Sequence, residues 1–130
     1  MNTIKLKLIT TPKVCRDKYI TVEIDGFDFL KTSEELEDSI VYFRDFYKSS
    51  FEEGDFLIFT CACGIADCGG WDLVTVKHVG STIFWSFNYD KHYSFTFEKD
   101  VYQKEALEFK GFLEINQPGY CESEIAEYPE

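Results

Sequence analysis

A chain of 130 residues that is 45% hydrophobic and 18% aromatic can fill one core without disulfides, which excludes the disordered and collagen-like classes. Its 24 acidic residues against 13 basic ones leave a formal charge of −11, which argues against nucleic acid or an anionic membrane surface as the main partner. The charge is regional, because residues 1–31 carry +2 and residues 32–130 carry −13.

The N-terminal stretch alternates Ile4, Leu6 and Leu8 with Thr3, Lys5 and Lys7, the period of a strand with one buried face. It reads as a strand and not as a signal peptide, having neither a basic leader before an apolar run nor a small-residue cleavage site. A second strand is expected over residues 19–24, with Ile20, Val22 and Ile24 on one side. Asp25-Gly26 then offers hairpin turn chemistry, or a bend into residues 27–30.

Thr32 and Glu35 have capping-box spacing and predict a helix from Thr32 to about Lys48, with Leu36, Ile40, Phe43 and Tyr47 as its apolar stripe. Residues 56–61 are a continuous apolar run, expected as one central strand buried on both faces. Strands over residues 71–78, 82–89 and 93–97 complete an antiparallel meander. Ile83, Trp85, Phe87 and Tyr89 share the face expected to lie under the helices. Asp100 and Gln103 predict the start of a second helix, with Tyr102, Ala106, Phe109 and Leu113 as its stripe and an end near Asn116. Residues 117–130 read as an acidic, partly mobile tail. The expected whole is a single α+β domain over residues 1–130: an N-terminal hairpin and a four-strand meander, mostly antiparallel, with two amphipathic helices on one face.

Between two expected strands lie Cys61, Cys63 and Cys68, in a loop with Gly64, Gly69 and Gly70. Three thiolates there suit a tetrahedral zinc ion, with a fourth ligand drawn from His78, His92, Cys15 or Cys121. A second closely spaced ligand pair is missing. The alternative is a buried strand end followed by a tight glycine-shaped loop. An odd total of five cysteines, three of them within eight residues, favours free thiols or metal over an extracellular disulfide framework, and the expected location is cytoplasmic.

The pattern CxCGxxxCxG, carried here by Cys61, Cys63, Gly64, Cys68 and Gly70 and followed by Trp71 and Trp85, resembles that of small uncharacterised bacterial proteins. Some of those lie near toxin loci and are suspected immunity proteins. The resemblance covers about residues 55–97, and it implies a toxin-neutralising role with no enzymatic activity attached.

Catalytic signatures are missing from the sequence: it has no Walker loop, GxGxxG, GxSxG or HExxH. A cysteine–histidine pair would need His78 or His92 beside a thiol. The leading expectation is therefore a binding protein, not an enzyme, that neutralises a basic protein partner such as a nuclease-type toxin domain. It needs no cofactor. The second expectation is a small zinc-binding regulatory or scaffold domain built on Cys61, Cys63 and Cys68. For the first, the expected contact residues are Glu34, Glu35, Glu37, Asp38, Tyr42, Asp45, Glu52, Glu53 and Asp55, where two acidic clusters flank a tyrosine. On that reading, reversing Glu37, Asp38 and Asp45 to Lys slows association and leaves stability nearly unchanged.

Overall fold

A computed structural model describes residues 1–9, 19–32, 39–61, 73–89 and 91–116. Strands β1 (Ile4–Ile9) and β2 (Tyr19–Ile24) pair antiparallel, with Leu6 opposite Val22 and Leu8 opposite Ile20, so the alternation in the sequence becomes one buried face. Asp25 and Gly26 both sit at positive φ, the geometry of a two-residue hairpin turn, and lead into β3 (Phe27–Asp28). Asp25 also fastens the chain start: its carboxylate accepts from the Thr3 amide at 2.9 Å and from Asn2 Nδ2 at 2.6 Å. Those two bonds, the Thr3 amide first, hold the Asp25 carboxyl below the ordinary carboxylate range.

The structure corrects the first helix. A 3₁₀ turn over Phe29–Lys31 ends at Thr32, whose hydroxyl donates to the Phe29 carbonyl at 2.8 Å. Residues 33–38, with Glu35 and Leu36, lie outside the described residues. Ser39–Val41 is a strand, β4, and the helix α1 begins only at Phe43 and ends at Ser49. Ile40 sits three positions before Phe43 and imitates a helical stripe. Its backbone instead pairs with Thr60 of β6 (Phe59–Cys61), a contact across twenty residues that local spacing does not reveal. The true helix stripe is Phe43, Phe46 and Tyr47.

Residues 56–60 of the apolar run are buried as expected, but the run is not one strand. It splits into β5 (Gly54–Phe56) and β6, which belong to different sheets. The Asp45 carboxylate accepts the Leu57 amide at 2.6 Å, taking that donor out of any strand ladder at the point of division. β5 then forms the edge of a four-stranded antiparallel sheet in the order β5-β7-β8-β9, with β7 at Val74–Val79, β8 at Thr82–Asn88 and β9 at His92–Glu98.

Helix α2 (Lys99–Asn116) buries Tyr102, Ala106, Phe109 and Leu113, as the sequence spacing predicts. Asp100 lies within its first turn and is not its cap. Ile83, Trp85 and Phe87 face inward. Phe46 of α1 stacks on Tyr102 of α2 with ring centroids 5.0 Å apart, and Trp85 meets both edge-on. The architecture is α+β and mostly antiparallel, with an N-terminal hairpin and, among the described residues, two α-helices. Among the described residues, no helix is long and apolar enough to cross a membrane.

Candidate functional site

The acidic segment after α1 becomes the rim of the four-stranded sheet. Ser50 ends the helix, and the Phe51 and Glu52 amides both donate to the Lys48 carbonyl, which reverses the chain. Gly54 carries it into β5 at φ +144, a conformation that a side chain would strain. Glu52, Glu53 and Asp55 are exposed.

Two of these carboxylates are held in place. Glu53 Oε2 accepts from the His78 amide at 2.8 Å, and Asp55 Oδ1 accepts from Thr75 Oγ1 at 2.7 Å. The second oxygen of each has no protein donor among the described residues, so a cation meets acceptors already oriented. Asp55 continues into a row across the open outer face, since Thr75 lies opposite Asp55, Ser86 opposite Thr75, and Ser94 opposite Ser86. A shallow depression of about 370 Å³ on this face is lined by Asp55, Leu73, Thr75, Ser86, Phe87 and Asn88. Lys77 is exposed on the same face and offsets part of the charge.

Apolar side chains border the acids. Phe51 is 47% exposed, Leu73 48% and Val79 59%. Sequence reading missed all three as contact candidates. Strand parity was the available signal, because Leu73 and Val79 are out of phase with Val74 and Val76, which point into the core. For Phe51 there was none; it follows α1 directly, and only the fold shows its ring edge-on against Tyr47 at 5.4 Å.

Two expected contact residues serve the fold instead. Tyr42 is buried, and its amide donates to the Ile58 carbonyl at 2.7 Å, extending the β4–β6 ladder. Being in the core, it is not a surface anchor. Asp45 is partly buried, and its bond to Leu57 ties α1 to the β5–β6 link. Burial pushes the Asp45 carboxyl above the ordinary range, against the pull of the Leu57 amide and of Lys48 and Arg44. Reversing Asp45 to Lys therefore removes a structural acceptor, and the expectation of unchanged stability does not hold for this position.

Glu34, Glu35, Glu37 and Asp38 lie outside the described residues, as do Cys63, Cys68, Cys15, Cys121 and the side chain of Cys61. Of the two histidines weighed as ligands or bases, His78 donates from Nε2 to the Ser49 carbonyl at 2.8 Å. His92 Nδ1 lies 2.9 Å from Asn88 Oδ1. Among the described residues, no group of three or more His, Cys, Asp or Glu side chains is placed to hold a metal.

Comparison with family models, with curated proteins and with solved structures finds no match to this chain.

Proposed function

We propose that this protein is a cytoplasmic binding protein of the immunity type, which neutralises a basic protein partner, a nuclease-type toxin domain, by covering its active surface. The observation that carries the reading is the pair Glu53 and Asp55, held on an exposed sheet edge by His78 and Thr75, with one oxygen of each open among the described residues. A nuclease surface built to bind phosphate presents Arg and Lys, and oriented carboxylates accept them with little further ordering of either side. The −13 balance over residues 32–130 draws such a partner in, while Phe51, Leu73 and Val79 supply apolar contact that slows its release. Nothing in this role requires the protein to make or break a bond.

The test is co-expression of the chain with a nuclease-type toxin domain recovered by pull-down with it. Growth rescue by the native chain, lost in a Glu52→Lys, Glu53→Lys, Asp55→Lys variant that folds normally, is the expected result. Equal rescue by that variant would remove the acidic edge from the account.

A further inference from the structure

A second surface, sharing no residue with the acidic edge, lies where β1 meets α2. β1 is the outer strand of its sheet. Thr3 bonds toward the β2 side through Asp25, so by alternation the backbone groups of Ile4, Leu6 and Leu8 point away from β2. The Leu6 amide donates to Glu105 Oε2 of α2 at 2.7 Å. Among the described residues, nothing takes up the outward amide of Leu8 or the outward carbonyls of Leu6 and Leu8.

This edge forms one wall of a cleft of about 390 Å³, bordered by Lys5, Leu6, Leu8, Glu105, Phe109 and Phe112. Toward the chain start the same edge is already taken, since Asn2 bridges Phe97 in parallel and its amide donates to the Thr96 carbonyl at 2.7 Å, so the open stretch is Leu6 to Leu8. Unpaired backbone groups beside a cleft that Phe109 and Phe112 line together with Lys5, Lys7, Glu105 and Glu108 call for an extended strand. Charge selects its sequence. Lys5 and Lys7 stand exposed while Ile4 and Leu6 are buried, so an added strand would alternate acidic residues beside the lysines with apolar residues beside Leu6 and Leu8. A second copy of β1 fits poorly, because antiparallel pairing about Leu6 sets Lys5 against Lys7 of the other copy. The opposite edge of β1 already holds a strand of the favoured kind: β2 places Glu23 across from Lys5 and 2.6 Å from Lys7.

We propose that the free edge of β1 is a strand-addition site for an extended segment of a protein partner that alternates acidic and apolar residues. Glu105 holds the place of the incoming carbonyl at Leu6 and yields it on binding.

The probe is a capped peptide with the sequence of Tyr19–Ile24, titrated into the full chain with amide exchange followed by NMR. Saturable slowing of exchange at Leu8 is expected. Glu105→Ala should tighten binding several-fold by removing the competing acceptor, and Lys5→Gln should weaken it roughly threefold. The same peptide N-methylated at alternate amides should not bind. Unchanged exchange at Leu8 with millimolar peptide, equal binding of the N-methylated form, or no tightening in Glu105→Ala would each overturn the proposal.

Discussion

Trp85 Nε1 donates to the Tyr102 hydroxyl across 3.0 Å, joining the centre of the sheet to the first turns of α2. The direction is fixed, since an indole N–H only donates. Ser49 Oγ lies 2.6 Å from the same hydroxyl and 2.6 Å from the Phe46 carbonyl, which only accepts. The chain of donation therefore runs from Trp85 to Tyr102 to Ser49 to Phe46, and every polar atom of this buried set is satisfied. Burial raises the Tyr102 phenol far above its ordinary range, and the bonds to Ser49 and Trp85 only partly offset that.

Tyr102→Phe should cost about 1–3 kcal/mol in urea denaturation, because it leaves the buried Trp85 N–H without an acceptor while keeping the ring contacts. An unchanged midpoint would mean that the network adds nothing beyond aromatic packing.

Asp45→Ala should destabilise by about 1–2 kcal/mol through loss of the acceptor for the Leu57 amide. Asp45→Asn keeps an oxygen there without the burial cost of a charge, and should match or exceed the native chain at neutral pH. Since the folded-state pKa is raised, the native state holds this proton more tightly than the unfolded chain does. Acidification through the Asp45 pKa therefore favours folding at this site, and the advantage of Asp45→Asn should shrink as pH falls. A difference that grew on acidification would contradict this sign.

Asp25 carries the opposite sign. With its folded-state pKa lowered, its contribution is present above the ordinary carboxylate pKa and is lost as pH falls through the folded value. The native chain should lose stability relative to Asp25→Asn over that acid range, read as converging thermal midpoints. A constant gap at every pH would show that the carboxylate charge is not what fastens the N-terminus.

Where burial follows a local period, the sequence was sufficient. Tyr102, Ala106, Phe109 and Leu113 define α2, and Ile83, Trp85 and Phe87 define the inner face of β8, because each set has one periodicity and one core to face. The start of α1 was not legible, since Ile40 satisfies helical spacing with Phe43 yet is claimed by a strand partner at Thr60. The division of the run at residues 56–61 depends on the distant Asp45 carboxylate. At the candidate site, composition and charge runs pointed to Glu52, Glu53 and Asp55. They could not separate those exposed acids from Asp45, whose role is decided by a bond to Leu57, twelve residues on.

The most direct test of the account is the association rate between this protein and a nuclease-type toxin domain recovered with it, followed by stopped flow at about 10 mM and about 150 mM salt. For the native chain the rate should fall roughly tenfold as salt rises. In a Glu52→Lys, Glu53→Lys, Asp55→Lys variant it should be slow at low salt and nearly insensitive to further salt. If the variant bound as fast as the native chain at low salt, the claim that this acidic sheet edge captures a basic partner would be contradicted.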